Sequence, residues 1–462
     1  MPALTQLLYT ARDALGAQSY GLGVTGQNIS NVNTPGYVRR EAQLETRALG
    51  TATTGSVAVT GLRRATDVYI EQRDYTARGN LAAASEHDRQ LGSIEALFND
   101  ISGTGLGSSL DALFGSFSAL AANPSDPTAR EQVLGAAQSF SDRVNVTAEA
   151  LAQTKTDLLK QAQATVEQIN ARAADISTLN RRIQQAEAQG EDAADLKDQR
   201  NKLLLDLSEL VDIRTIGDGA GNLVIQAAGS TLVDGGEARQ LGIDLDSNGE
   251  LRLLSLRDGA PDTEITRFLT GGKLAGIKEA RDVDVFDVEN KLDQLVFDVA
   301  NAINAQHALG FGLDGASGRN LFDVGGTVTG AAQSLRLGAA VAGNPNAIAA
   351  AGSLASVPGG SSNAAALADI WKSPVSGGRT AAEAYGDLVG SVGQRKAALA
   401  RAVETQGAIR DQLQAMREAV SGVSLDEEMV ALTKFQRAYE AAGRVLTTVD
   451  QLLQDLINRV GR

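Results

Sequence analysis

The sequence predicts a mainly α protein with a smaller β part: terminal coiled-coil helices, a long helical-bundle domain and an inserted outer β domain. Three observations carry this. Near the C-terminus, Leu425, Leu432, Tyr439, Leu446, Leu453 and Val460 recur every seven residues, and Phe435, Ala442, Val449 and Leu456 form a second row three residues behind. Alternating steps of three and four are the seam of a coiled coil, where one helix lays a narrow apolar stripe on another. At the other end, Leu8, Leu15, Leu22 and Ile29 repeat by seven, with Leu4, Ala11 and Val32 in a companion row interrupted by Gln18 and Thr25. Between residues 211 and 269 the helical period gives way to short apolar runs separated by Gly, Asp and Asn, which is strand patterning.

In chain order, the first helix is expected over about 5–28, stopped by the Asn- and Pro-Gly-rich turn at 31–37. Residues 38–60 are polar and Thr/Gly-rich and read as irregular chain with a hairpin. Helix resumes at 67–98, breaks at 103–107 and restarts at 110–120. Asn123-Pro124-Ser125-Asp126-Pro127 is a stop-and-restart signal before a long helical run to residue 211. Within it, Leu151, Leu158, Ala162, Ile169, Ala173, Ile176 and Ile183 form one stripe, and Gly190 turns the chain into an antiparallel partner. The β segment follows and reads as peripheral, because its short, turn-rich runs sit between two helical stretches. A helix over 282–307 returns, residues 308–360 read as loops with a few strands, and 381–420 is helical up to the Ser421-Gly422 turn. Ser424 and Glu427 match a capping box for the last helix, with Asp426, Glu427 and Glu428 at the positive end of its dipole.

This nesting suits a radially layered subunit. Residues 1–33 with 421–462 form an inner coiled-coil unit, residues 34–213, 272–310 and 362–420 a helical bundle, and residues 214–271 with 311–361 an outer β-rich unit. The 462-residue chain carries 42 Lys plus Arg against 56 Asp plus Glu, a net charge of -14, which disfavours nucleic acid and anionic membranes as partners. No cysteine is present, so disulfides and thiol chemistry are excluded. The N-terminus lacks the basic start and apolar run of a cleaved signal peptide, and no apolar run reaches membrane-span length.

Candidate chemistry is sparse. Two GxGxxG matches, Gly21-Gly23-Gly26 and Gly310-Gly312-Gly315, lie within or after a helix, whereas a dinucleotide loop follows a strand and opens a helix. Asp244 to Gly249 imitates the start of a calcium loop, but Ser255 stands where a bidentate Glu is needed, so a hairpin turn is the better reading. His87 and His307 have no ligand partners at metal spacing and read as helix-surface or interface residues. No catalytic, cofactor or metal residue is assigned.

The run Asn28-Ile29-Ser30-Asn31-Val32-Asn33-Thr34-Pro35-Gly36-Tyr37 resembles the N-terminal signature of bacterial flagellar rod, hook and hook-associated proteins. The segments 123–130, 196–203, 304–307 and 421–428 narrow the resemblance to the hook-associated protein 1 family. That resemblance implies a structural subunit of the bacterial flagellum, not an enzyme, in a ring at the hook–filament junction that templates the filament. It implies as partners further copies of the chain, the hook protein, the second hook–filament junction protein, and the flagellar export apparatus with its chaperone. Export through the flagellar channel to an extracellular position follows from the same resemblance. Larger family members carry an additional outer β domain, and residues 311–370 are too short to hold it. The alternatives are another axial protein (hook or distal rod), which shares residues 28–37 but lacks the long helical middle, and a helical adaptor or receptor. The terminal helices, with narrow apolar rows, are expected to be disordered in the free monomer and to fold on incorporation.

Overall fold

The computed structural model describes residues 2–34, 36–48, 55–100, 103, 105–217, 222–257, 259 and 261–460. Helix α1 (Pro2–Ser30) ends at the Asn-rich turn, as the spacing predicts. An antiparallel ribbon of β1 (Arg40–Ala48) and β2 (Gly55–Arg64) follows, with Arg40 opposite Arg64 at its root and a register shift at Gln43/Leu44. The ribbon is longer and more regular than the sequence suggests. Its alternation is hidden because the covered position along β2 is Ser56, which no apolar count would find.

Helix α2 (Val68–Ala96) is capped by Asp67, which accepts from the backbone N–H of Tyr69 and Ile70 at 2.8 and 3.2 Å. Helix α3 (Leu106–Ala122) leads to the turn at 123–126. There Asp126 caps α4 (Pro127–Ala188), and Pro127 occupies a first-turn position where its missing N–H costs nothing. With 62 residues, α4 is the spine of the molecule, about 90 Å long. The whole stripe from Leu151 to Ile183 is buried, and α5 (Ala194–Leu210) returns along it after the turn at Gly190.

Strands β3 (Ile213–Gly217), β4 (Leu223–Ala227), β5 (Ser230–Asp234) and β6 (Glu237–Ala238) form one antiparallel sheet in chain order. Strands β7 (Leu241–Leu245), β8 (Leu251–Ser255) and β9 (Thr263–Glu264) form a second. Asp246 closes the β7–β8 hairpin by accepting from the N–H of Asn248 and Glu250, both at 2.8 Å, and Gly249 takes the left-handed conformation the turn needs. Ile225, Leu232, Val233, Leu251 and Leu253 are buried in one continuous core with α4 and α5, so the short strands complete the helical layer.

The helix expected to start at 282 begins ten residues earlier. Helix α6 (Gly272–Glu279) passes through a π-helical turn (Ala280–Val285) into α7 (Phe286–Leu309). Glycines on α6 allow close approach. A Cβ on Gly276 would stand 2.4 Å from the Ala83 carbonyl of α2, and one on Gly272 2.3 Å from the Val211 nitrogen.

The next stretch holds β10 (Phe322–Asp323), α8 (Ala331–Ser334) and β11 (Arg336–Leu337), followed by α9 (Ser362–Asp369). The segment 311–361 makes a small sheet of its own. Strands β10 and β11 pair with each other alone among the described residues, and the segment sits on another part of α4. Asn145 donates to the Ala332 carbonyl and Arg130 to that of Ile348, whereas Asn170 and Asn180 hold the sheets at Leu241 and Leu223. Strand patterning reveals two β segments but not their separate places along a 62-residue helix. Helices α10 (Ala381–Ser421) and α11 (Leu425–Val460) complete the chain, α10 packing on α2 and α11 on α1.

Candidate functional site

The paired termini form the site the heptads point to, with a shift in which row is covered. On α1, Ala11, Ala17, Gly21, Val24, Thr25 and Asn28 are buried, whereas Leu8, Leu15, Leu22 and Ile29 stay half-buried. The fully covered positions thus include Ala11 and Thr25 of the companion row. Small residues lead because they permit close approach: the Phe435 ring lies over Gly21, where a Cβ would stand 2.6 Å from its Cε1. On α11, Val449 is buried and Leu432, Phe435, Leu446, Leu453 and Leu456 are half-buried. Leu425 and Tyr439 are 49% and 43% exposed, and the side chain of Val460 lies outside the described residues.

Asn28 knots the ends of the chain together. Its Nδ2 donates to the Arg40 carbonyl at 2.8 Å and to Glu428 Oε2 at 3.0 Å. Its Oδ1 accepts from the Arg40 N–H at 3.0 Å and the Tyr37 hydroxyl at 2.8 Å. All four hydrogen-bonding capacities of the amide are used, which no other side chain of that size could do. Glu428, 2% exposed, also accepts from Arg39 Nε at 2.8 Å, and Glu427 lies 3.1 Å from Arg39 Nη1. Capping therefore does not account for this acidic cluster: Glu428 is the C-terminal half of the knot. The Arg39 N–H donates to the Ser421 carbonyl at 2.9 Å, clipping the α10–α11 turn to the same place.

The remaining motif residues shape the turn. Asn31 donates to the Gln27 carbonyl and accepts from the Thr34 hydroxyl at 3.1 Å, and Gly36 has a positive φ of 84°. Asn33 is exposed, and Pro35 lies outside the described residues. The Arg40 guanidinium stacks on Tyr37 at 4.8 Å, and burial pushes the Tyr37 phenol up from its ordinary pKa. Beside the turn, a cleft of about 260 Å³ is walled by Asn33, Thr34, Glu71, Asn201 and Arg417. Burial raises the Glu71 carboxyl against the pull of Arg64 and Arg417.

The other segments quoted for the resemblance also acquire roles. Asp198 binds Arg40 and Arg64 of the ribbon, Arg200 donates to Asn180 at 2.8 Å, and Asn201 accepts from the Tyr75 hydroxyl at 2.7 Å. Arg130, 1% exposed, donates to the carbonyls of Pro124 and Ile348. His307 is a core residue rather than a surface one. Its Nδ1 bonds the Arg319 carbonyl at 2.7 Å, Nε2 accepts from the Ala349 N–H at 3.0 Å, and burial lowers its pKa. His87 meets the buried Asp284 at 2.5 Å. Only long-range folding identifies these partners. Among the described residues, no helix is long and apolar enough to cross a membrane, and no three His, Cys, Asp or Glu side chains gather as a metal site.

Comparison with known proteins places the termini first. The flagella basal body rod protein family model matches residues 8–37, and the flagellar basal body rod FlgEFG protein C-terminal model matches residues 418–459. These two matches fall on the knotted ends and define an axial protein of the flagellum. The model for the flagellar hook-associated protein FlgK helical domain matches residues 91–322. Flagellar hook-associated protein 1 of Bacillus subtilis is 30% identical over 98% of each chain, and that of Salmonella typhimurium 28% identical over 98% of this chain and all of its own. The solved flagellar hook junction protein FlgK from Burkholderia pseudomallei shares the fold at a TM-score of 0.68 and 17% identity, over 76% of this chain and all of that one. The chain belongs to the flagellar hook-associated protein 1 family, structural proteins of the hook–filament junction.

Proposed function

We propose that this chain builds a ring of its own copies at the distal end of the hook and presents the surface on which the filament starts. The observation that carries the reading is the incomplete cover of the terminal helices. Leu425, Met429, Val430, Leu452 and Ile457 of α11 are each about half exposed or more, and the row Leu8, Leu15, Leu22 and Ile29 of α1 is only half covered. A contiguous apolar helix of this length is stabilised in water when neighbours cover it. The residues Leu8, Leu15, Leu22, Ile29, Leu425, Leu432, Tyr439, Leu446, Leu453 and Val460 are the proposed seam between copies, with the knot at Asn28 fixing the angle at which the seam is presented.

In this reading, residues 1–33 and 421–462 form the inner tube, the helical bundle surrounds it, and the β-rich segments at 214–271 and 311–361 lie on its outer side. The partners are the hook protein on one side and the second hook–filament junction protein on the other. Delivery runs through the flagellar export channel with a chaperone, and the protein carries no enzymatic activity. A null strain tests the reading: it should build hooks, lack filaments and shed flagellin into the medium. Normal filaments on its hooks would overturn it, and loss of the hook itself would favour the rod or hook alternative.

A further inference from the structure

We propose that Asp198 is the positioning residue that fixes the terminal coiled coil against the helical layer. Arg40 and Arg64 face each other across the root of the β1–β2 ribbon. Asp198, on α5, reaches both: Oδ2 lies 3.1 Å from Arg40 Nη2, and Oδ1 lies 2.9 Å from Arg64 Nε. The three side chains are largely covered, at 5%, 16% and 12% exposed for Arg40, Arg64 and Asp198. A carboxylate held by one strand would fix the ribbon's position; held by both strands at one rung, it also fixes the ribbon's roll. Charge-assisted bonds of this kind are the strong ones and lose little to screening when covered.

The ribbon is the lever between layers. It packs along α1, and one residue before Arg40 the chain sends Arg39 the other way, to Glu428 on α11. The ribbon root is thus gripped by the helical layer through Asp198 and by the terminal pair through Arg39. Without Asp198, two arginines would oppose each other across one rung, with the 81%-exposed Asp195 left beside Arg40 and Glu71 near Arg64. Like charges directly opposite on neighbouring strands repel. The core of α5, built on Leu204 and Leu207, does not depend on this group. The ribbon and terminal helices would therefore swing from α5 while each layer stays folded. The functional weight of this joint rests on the junction reading, but the joint itself can be tested on the isolated chain.

The test compares the full-length chain with Asp198→Asn, Asp198→Glu and Arg64→Met. For Asp198→Asn, the expected result is unchanged helical circular dichroism, a larger maximum dimension in X-ray scattering, and amide exchange about tenfold faster in residues 40–48 and 55–64, while α4 keeps its protection. Asp198→Glu should recover part of the protection, and Arg64→Met should fall between. Wild-type scattering and exchange in Asp198→Asn would overturn the proposal. So would exchange accelerated equally in α4 and the ribbon, which would mark Asp198 as a residue of general stability instead.

Discussion

Asn28 and Glu428 stand 400 positions apart in sequence and share a buried 3.0 Å hydrogen bond. Asn28→Ala removes partners from the Tyr37 hydroxyl, the Arg40 N–H and carbonyl, and Glu428 at once. Each buried group so orphaned costs roughly 1–3 kcal/mol. Asn28→Asp keeps the shape but replaces the Nδ2 donor with a second carboxylate facing Glu428, and is expected to be at least as harmful. Amide exchange over 24–40 and 421–430 should accelerate in both variants. Unaltered exchange in Asn28→Asp would show that the bond to Glu428 contributes nothing.

Two glycines on one helix should behave oppositely. Gly21→Ala drives a methyl into the Phe435 ring, so α1 and α11 must separate, and protection of both helices should fall. Gly23 has nothing within 4 Å of a would-be Cβ, so Gly23→Ala should stabilise α1 by about 1 kcal/mol through helix propensity. Equal effects on thermal unfolding would mean that the close approach at Phe435 is not what requires glycine.

His307 makes the 311–361 segment sensitive to acid. Its folded-state pKa lies below the ordinary value of about 6.5 because burial disfavours the cation, and its Nε2 must stay unprotonated to accept from Ala349. The unfolded chain therefore takes up the proton first as pH falls. The stabilisation is complete above about pH 6.5 and is lost as pH drops through that value toward the folded pKa. Protection of the amides at 345–351, corrected for intrinsic exchange, should weaken between pH 7.5 and 5. His307→Leu should be less stable throughout and lack that slope. The same slope in the variant would assign it to another group.

Charges on the seam should block assembly. Burying a leucine contributes roughly 1.5–3 kcal/mol, and an aspartate in its place adds a desolvation penalty. Leu15→Asp and Leu446→Asp are expected to abolish filament attachment, whereas Gln451→Glu, at an exposed position, should be nearly silent. Equal swimming by all three strains would remove these rows from the interface.

Dilute monomer should exchange faster over residues 5–32 and 425–460 than across 128–211. The motive is the contrast between half-covered terminal rows and the fully buried α4 stripe. Strong terminal protection in a verified monomer would mean that the α1–α11 pairing suffices without neighbours.

The sequence by itself determined the local elements. Heptad rows marked α1 and α11, the Asp126-Pro127 signal started α4, and the stripe from Leu151 to Ile183 proved buried throughout. Each is a periodicity or a capping rule acting within a few residues, so it can be read without knowing the fold. The motif at 28–37 was legible as a signature, but not what Asn28 does. Tertiary structure alone decided that Glu428 is buried against Asn28 and Arg39, that Asp198 meets Arg40 and Arg64, and that His307 lies in the core. It also made Gly21, Gly272 and Gly276 close-packing sites, and joined the small sheets to the helical core. The physical reason is that these pairings depend on backbones brought together over long stretches of chain. A carboxylate or a glycine has the same local preference whether it ends in water or against a partner, and only the packed partner decides which.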